Sequence, residues 1–376
     1  MGAELGLVKW GASQIGPDGS RWDEEIVLHI GDWFHRTGKV MFDWYWNKGS
    51  EGTRSPVPDN ALVNDVQLYD CPRSVRWISC DASKGTRPTY TLQADKVYKL
   101  RFINTGSLAQ SFISVDEHEL YVVEAGGTDI EPVTMKELAV APGQRYSVIL
   151  RYVGEGTPQP GAKFWVRHRL DQSCFKYPNL ALDPTPKAII HYTAPRTITS
   201  LLGGLLPSAR LAPNEPALPE PITSQWNITE EEEFDARTLL PLDLAARELP
   251  ETTMDPIVLY VNTLLAAERA GAINDTAAAG GLDGYESTAA ESWGPHEYVV
   301  QMSKNESVVV DLIINNLEDG LHPFHLHGHH FWPIHVADSA RYGWGSYNWD
   351  RPPAVPSVAP AMRDTMVIPL RSNAVF

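Results

Sequence analysis

The chain has 376 residues, with 31 Lys and Arg against 47 Asp and Glu, for a net charge of −16. At about 150 residues per domain this length predicts two or three domains and excludes a small disulfide-stabilised scaffold. The acidic excess disfavours nucleic-acid binding, and no apolar run reaches the ~18 residues of a membrane-spanning helix, so we expect a soluble protein.

From Asp23 onward the sequence reads as short strands separated by turns. The 29 prolines and 28 glycines fall largely between these runs, where they end strands and set turns. Enrichment in β-branched and aromatic residues predicts strands at Glu25–Ile30, Val97–Ile103, Ser111–Val115, Tyr121–Glu124, Tyr146–Tyr152 and Phe164–His168. This spacing predicts an all-β sandwich or barrel.

The composition changes between Ala194 and Pro256, where Pro, Leu and Glu dominate. Further strands are predicted at Ile257–Val261, Glu297–Met302 and Ser307–Ile314, with a Gly/Ala-rich loop over Ala266–Gly284. The sequence therefore predicts a β domain over residues 1–195, a linker over 196–255 and a second β domain over 256–376.

The three cysteines, Cys71, Cys80 and Cys174, are too few for a disulfide framework and lack the C-x-x-C spacing of zinc or thiol-exchange sites. In an oxidising compartment one pair can form a disulfide. We expect Cys71 to pair with Cys174 or with Cys80.

Three sequons, at Asn227, Asn274 and Asn305, would accept glycans if the chain entered a secretory pathway. Residues 1–10 show no basic start followed by an apolar core, so no signal peptide is legible. From the sequence, the protein is either intracellular or starts downstream of its true beginning.

Five of the twelve histidines lie in one run, His322-Pro-Phe-His-Leu-His-Gly-His-His330. If this run is a strand, His325 and His327 project to the same side about 6 to 7 Å apart, which suits two neighbouring metal ions. His322 precedes His325 by three residues and should face a different centre. Imidazole nitrogen suits copper, zinc, iron and nickel, and nearby carboxylates are scarce.

Two other interpretations of this run compete. The first is that these histidines are structural, as single histidines in strands usually are. We interpret the seven histidines outside the run in this way: His29, His35, His118, His168, His191, His296 and His335. The sharper rival is a zinc hydrolase, because the run from His325 to His330 resembles the H-x-H-x-D-H cluster of metallo-β-lactamase-like enzymes. His329 stands where that cluster has Asp, and the few predicted helices disfavour its α/β fold.

The residues from His322 to His329 resemble the third copper motif of the multicopper oxidases, H-P-x-H-L-H-G-H. The resemblance extends over nearly the whole chain, including Trp22–His35, Pro58–Asn64, Tyr98–Asn104, Asp116–Leu120, Ala141–Ser147 and Arg363–Thr365. It implies two cupredoxin-like Greek-key β-sandwich domains. They correspond to the second family domain and a C-terminally truncated third domain of fungal laccase-like and iron-transport oxidases.

The resemblance also implies ligand roles for three residues. His322 would bind the type 1 copper that receives electrons from the substrate. His325 would bind the type 2 copper and His327 one of the type 3 pair, where dioxygen is reduced to water. The implied enzyme is a copper- and oxygen-dependent oxidoreductase.

Several family motifs have no counterpart in this sequence. Neither H-W-H-G nor an H-S-H motif occurs, and no H-C-H-x-x-x-H stretch or later cysteine follows Cys174. We therefore expect a fragment of a longer enzyme that is inactive on its own. A non-catalytic cupredoxin module remains an alternative.

Two substrate classes compete for the complete enzyme. In the iron-oxidising branch a carboxylate lies in a G-x-E-P-x-P stretch, which Thr53–Pro58 matches with Ser55 in place of the acid. Glu318 does match an acidic position of that branch, so it is a candidate substrate-binding residue. The aromatic run Phe42–Trp46 could line a pocket for an aromatic reductant, although packing beneath the sandwich is the commoner use. We favour a phenolic or pigment-type reductant over ferrous iron, and an extracellular or cell-surface location by family.

Overall fold

The computed structural model describes residues 14–46, 56–74, 79–81, 83–175, 177–195, 221, 236–253, 256–261, 273–274, 307–337 and 346–376. Within these ranges the protein is nearly all β, with a single α-helix, α1 (Gly38–Trp46), and 3-10 helices at Cys71–Arg73, Ala236–Thr238 and Leu244–Arg247. No helix in the described ranges combines the length and apolar character needed to cross a membrane.

The first unit is a β-sandwich. Its strands are β1 (Gln14–Ile15), β2 (Arg21–Trp22), β3 (Glu24–Trp33), β4 (Asn60–Val63), β5 (Thr89–Gln93), β6 (Tyr98–Asn104), β7 (Ser111–Val115), β8 (His118–Ala125), β9 (Thr128–Met135), β10 (Glu137–Val140), β11 (Arg145–Tyr152), β12 (Lys163–Leu170) and β13 (Lys187–Thr193). One sheet has the order β4-β3-β6-β11-β8-β9 and the other β10-β7-β12-β13-β5.

Alternating side chains of β6 show how the sandwich is filled. Tyr98, Leu100 and Phe102 are buried in the core that both sheets share. Lys99 and Arg101 point to the opposite face of the sheet, where each lies 3.5 Å from the carboxylate of Glu124. The period of two in this strand therefore separates an apolar core from a charged outer face.

The second unit is built around a smaller sheet. Its strands are β14 (Ile257–Val261), β15 (Ile273–Asn274), β16 (Leu312–Asn316), β17 (His322–His325), β18 (His335–Val336), β19 (Thr365–Ile368) and β20 (Ser372–Val375). The sheet has the order β15-β14-β16-β20-β18, and β17 pairs with β19 alongside it. Ile314, Met366 and Ile368 are buried with Phe331 and Phe376, whose stacked rings lie 4.3 Å apart.

The prediction of an all-β fold is confirmed, and all six strands predicted in the first half are present. The predicted strand Ser307–Ile314 is wrong in its first part, because β16 begins only at Leu312. Residues 307–311 lie beside the segment before β14, where Pro256 has no N–H to donate to a ladder. The predicted strand Glu297–Met302 lies outside the described residues, as does the predicted loop Ala266–Gly284 apart from β15.

The helix α1 was not predicted. It contains the aromatic run that begins at Phe42, and the side chain of Phe42 is 59% exposed, so this residue does not pack beneath the sandwich. An ion pair of 2.5 Å between Lys39 and Asp43, four residues apart, supports the helix.

The structure selects one of the two cysteine pairings left open by the sequence. Cys71 forms a disulfide with Cys80. Cys174 retains its thiol, whose sulfur lies 3.4 Å from the carbonyl oxygen of Asp171.

The end of the predicted linker packs against the first unit. Leu239 is 2% exposed and belongs to the core of the sandwich. The neighbouring backbone pairs with the edge strand β9, since Glu131 N–H donates to Leu240 at 2.9 Å and Leu242 N–H donates to Asp129 at 3.0 Å. Ala361 of the second unit donates to the carbonyl of Leu239 at 2.8 Å, so this segment lies between the two units.

Two histidines are buried in the sandwich, where burial opposes the charged form. Burial lowers the pKa of His168 to about 3, and its Nε2 lies 2.8 Å from the hydroxyl of Ser111. Burial lowers the pKa of His118 to about 4, although its Nδ1 lies 2.8 Å from the Asp116 carbonyl oxygen. Both imidazoles are therefore neutral in the folded protein at neutral pH.

We expect His168 to make the sandwich sensitive to acid. Its folded pKa lies below the ordinary value of 6.5, so as pH falls below about 6.5 the unfolded chain takes up a proton that the folded chain does not, and stability is lost. Between pH 6 and 5 the unaltered protein should therefore lose more unfolding free energy than His168→Gln does, by roughly 1 kcal/mol per pH unit. Urea unfolding at each pH measures this slope.

Ser111→Ala is the matched control, because it removes the hydrogen-bond partner and keeps the buried imidazole. It should keep the slope of the unaltered protein. An unchanged slope in His168→Gln would show that His168 does not titrate differently on unfolding.

Candidate metal centre

The pairing of β17 with β19 positions the histidine run. The register places His322 opposite Ile368, and His325 opposite Thr365. Pro323 lies inside β17, a position that a strand tolerates where no ladder hydrogen bond is required from its nitrogen. The pair is anchored by Met366 and Ile368 of β19, which are buried in the core of the second unit.

His322 lies at the start of β17 and is half-buried. Its three-residue separation from His325 places the two side chains on opposite faces of the strand, as the sequence predicts. Burial lowers the pKa of His322, while the charge of Glu318 opposes this shift. The imidazole is therefore favoured in the neutral form that binds a metal ion.

Asn316 holds the loop that precedes His322. Its side-chain amide donates to Gly320 and Pro369 carbonyl oxygens at 2.8 Å and to Ile368 at 3.3 Å, and it is fully buried. The side-chain oxygen Oδ1 of Asn316 accepts a hydrogen bond from the Glu318 N–H at 3.0 Å. One buried side chain thus ties the candidate substrate-binding residue and the start of β17 to β19.

The structure brings His325 and His327 together, with ring centroids 4.7 Å apart. Strand alternation is not the cause, because β17 ends at His325 and a turn through Gly328, at φ 72°, carries His327. The separation of about 6 to 7 Å expected for a strand is therefore wrong for these rings. Both side chains are exposed.

The orientation of His325 is fixed by β19. Its Nδ1 lies 2.9 Å from the Asp364 carbonyl oxygen and 3.0 Å from the Thr365 hydroxyl. Because a carbonyl only accepts, His325 donates from Nδ1 and presents the lone pair of Nε2 to the exterior. A ring held in this way is a typical metal ligand.

The last two histidines of the run make other contacts. His329 Nδ1 lies 3.0 Å from the His327 carbonyl oxygen, and His330 Nε2 lies 3.3 Å from the Gly126 carbonyl oxygen of the first unit. His329 therefore turns to its own backbone. The zinc-hydrolase interpretation is wrong on architecture, because the described residues form β-sandwiches and not the layered α/β fold that it requires.

Contacts from the first unit reach the site and were not predicted. Arg145 Nη1 lies 2.5 Å from the carboxylate of Asp364, next to Thr365. Burial opposes ionisation of Asp364, but the hydrogen bond and charge of Arg145 outweigh it and lower the pKa of Asp364. Both residues fall in stretches that resemble the family, yet a separation of 219 residues gives no sequence signal that they touch.

The donor set fits copper. Three imidazoles are available, one of them with Nε2 directed outward, and imidazole is a preferred ligand of copper. Among the residues that the structure describes, no group of three or more His, Cys, Asp or Glu is gathered closely enough to hold a metal ion.

Two family models described as multicopper oxidase match this chain, over residues 24–195 and 268–376. The iron transport multicopper oxidase FET3 of Gibberella zeae is 24% identical over 96% of this chain and 51% of its own length. Laccase-4 of Thanatephorus cucumeris is 26% identical over 90% of this chain and 57% of its own length. The chain thus spans about half the length of these curated relatives.

Solved structures of multicopper oxidases show the same fold, which confirms the predicted cupredoxin-like architecture. The crystal structure of Fet3p, a multicopper oxidase that functions in iron import, matches with a TM-score of 0.68 at 20% identity, covering 96% of this chain and 61% of that one. The laccase from Botrytis aclada matches with a TM-score of 0.61 at 19% identity, covering 95% and 59%.

We expect Asn316→Ala to destabilise the second unit. The substitution leaves the buried carbonyl oxygen of Ile368 and the partly buried ones of Gly320 and Pro369 without this donor, which should cost about 2 to 3 kcal/mol of unfolding free energy. Denaturant unfolding measures the change. Asn348→Ala is the matched control, since Asn348 also accepts an N–H two residues ahead but is exposed, and it should cost less than about 0.5 kcal/mol. Equal effects of the two substitutions would contradict the anchoring role of Asn316.

Proposed function

This chain belongs to the multicopper oxidase family, and we propose that it supplies His322, His325 and His327 to the copper centres of an oxidase. The whole enzyme would couple one-electron oxidation of a small reductant to reduction of dioxygen to water. The chain alone would be inactive, because further copper ligands must be contributed by polypeptide outside it.

The observation that carries this proposal is the grouping of the three imidazoles. His325 and His327 lie 4.7 Å apart between ring centroids at the exposed end of β17, while His322 lies at the other end of the strand and on its other face. This arrangement suits two separate centres, one formed with His322 and one with the other pair. It is the division of roles that the sequence motif implies.

The chain's own residues prepare these ligands. Burial keeps His322 neutral, and Asp364 holds the Nδ1 proton of His325, so that Nε2 is free to bind. The exposure of His325 and His327 leaves them accessible to a neighbouring domain that would complete their centre. Bound copper would supply the chemistry, since it exchanges single electrons and reduces dioxygen.

We propose a phenolic or pigment-type reductant for the complete enzyme. Ser55 stands where the iron-oxidising branch has a carboxylate, which removes one hard oxygen ligand for ferrous iron. An extracellular or cell-surface location is also proposed, and the Cys71–Cys80 disulfide supports it because such bonds persist in oxidising compartments. Glycosylation at the three sequons is a further expectation of that location.

Ferrous iron is the second candidate reductant. Glu318 lies close enough to His322 for its charge to act on the imidazole, and a carboxylate beside that position suits a hard cation. Relatives named iron transport multicopper oxidases match the chain as well as a laccase does.

A chimaera tests the proposed function. The chain is joined to the first domain and the C-terminal copper motif of Laccase-4 of Thanatephorus cucumeris, loaded with copper, and followed by oxygen uptake with 2,6-dimethoxyphenol. We expect activity in the chimaera and none in the isolated chain, which should also lack a strong blue absorption. His327→Ala should reduce activity at least about 100-fold, because even outer partners of metal ligands cost roughly 10- to 100-fold.

His329→Ala is the matched control and should keep activity within about threefold, since this histidine contacts its own backbone. An active isolated chain would show that the ligand assignment is wrong. So would equal losses in the His327 and His329 variants.

Glu318→Gln separates the two reductants in the same chimaera. If ferrous iron is the substrate, the variant should raise its KM about tenfold or more and leave that of 2,6-dimethoxyphenol unchanged, because only the cation needs the carboxylate. For the phenolic proposal we expect both KM values to change by less than about twofold. Oxidation of ferrous iron with no turnover of the phenol would overturn the phenolic proposal.

A further inference from the structure

The carboxylate of Asp364 joins the two units at the candidate metal centre. It accepts a hydrogen bond from Arg145 Nη1 of the first unit at 2.5 Å and one from the Thr365 hydroxyl at 3.0 Å. The Asp364 side chain is 14% exposed and that of Arg145 33%, so the ion pair is partly shielded from water. Shielded pairs of this kind hold their geometry better than surface pairs do.

The hydroxyl of Thr365 connects this carboxylate to His325. A hydroxyl has one proton, and here it points to Asp364, so the oxygen offers only lone pairs to the imidazole 3.0 Å away. The Asp364 carbonyl oxygen, 2.9 Å from the same Nδ1, is also an acceptor. Both neighbours of Nδ1 therefore require the proton to be on that nitrogen.

Arg145 is itself held in place by the turns of the first unit. Its guanidinium also donates to the Gly126 carbonyl oxygen at 3.2 Å and to that of Gly143 at 3.4 Å. Gly126 is at φ +61°, and a Cβ there would lie 3.2 Å from Cβ of Arg363. The backbones of the two units thus approach closely where the ion pair crosses between them.

Building on the function proposed above, we propose that Arg145 and Asp364 are positioning residues that fix His325 in its Nδ1–H tautomer with Nε2 toward the copper. Arg145 holds the Asp364 carboxylate, the carboxylate takes the hydroxyl proton of Thr365, and the hydroxyl then accepts from His325. Copper binding through His325 is in this way coupled to the docking of the two units.

The tautomer of His325 gives a test that needs no metal. The full chain is labelled with ¹⁵N in its histidine rings, and the His325 signals are assigned by their loss in His325→Asn. Long-range ¹H–¹⁵N spectra at pH 8 should show the proton on Nδ1 of His325. In Asp364→Ala the freed Thr365 hydroxyl can donate to the ring and competes with the Asp364 carbonyl oxygen, which still accepts from Nδ1, so we expect a detectable fraction of the Nε2–H form. Arg145→Met leaves the carboxylate in place without its partner and should give a smaller fraction.

Copper affinity gives the second readout. Titration of the full chain with Cu²⁺ alone should show binding weakened about 10- to 100-fold in Arg145→Met and in Asp364→Ala. Arg145→Lys, which keeps the charge, should recover part of the affinity. Arg169→Met is the matched control, since it breaks an ion pair of 2.7 Å with Glu137 inside the first unit and should leave both tautomer and affinity unchanged.

The outcomes separate this proposal from the proposed function. If His325→Ala and His327→Ala fail to weaken Cu²⁺ binding, the metal assignment is wrong. If they weaken it while Arg145→Met and Asp364→Ala keep the affinity and tautomer of the unaltered chain, the positioning role is wrong. An Nε2–H tautomer in the unaltered chain also overturns that role, even if a variant fails to fold.

Discussion

Antiparallel pairing between β17 and β19 is the interaction on which the candidate metal centre depends. One acceptor in this pair, the carbonyl oxygen of Asp364, receives both the backbone N–H of Leu326 and the ring Nδ1 of His325, each at 2.9 Å. The oxygen that accepts the last backbone hydrogen bond at the end of β17 therefore also orients the imidazole of His325. A slip of the register by one residue would exchange the faces of His322 and His325, and both centres would be lost together.

The first unit contributes to this site without supplying a proposed ligand. Arg145 at the start of β11 reaches the carboxylate beside β19, and the carbonyl oxygen of Gly126 lies 3.3 Å from His330. The segment around Leu239 also bonds to both units, through Ala361 of the second and the strand β9 of the first. These contacts bring groups of the first unit to a site whose histidine run lies in the second unit.

The sequence predicted six strands of the first unit and missed others, among them β5, β10 and β13. In β6 the alternation of apolar residues with Lys99 and Arg101 matches a strand that turns one side to the core and the other to the carboxylate of Glu124. It missed β9, an edge strand with Pro132 near an irregular register, because its burial does not alternate cleanly. It missed α1 because the aromatic residues there suggested a pocket lining or packing beneath the sandwich, while the helical signal was limited to the pair of Lys39 and Asp43.

The candidate site was predicted in its residues but not in its surroundings. The density of the run from His322 to His330 indicates metal ligands whatever the fold, whereas the turn that brings His327 to His325 depends on where β17 ends. Asn316 and Asp364 could not be assigned roles from sequence, because their partners lie on other strands or on the other unit. Whether His322, His325 and His327 bind copper can be seen by X-ray diffraction at the copper absorption edge from copper-loaded crystals of the chimaera with the laccase domains. We expect one anomalous peak at His322 and separate copper density at Nε2 of His325 and at His327. A single ion shared by all three imidazoles, or no copper at any of them, would contradict it.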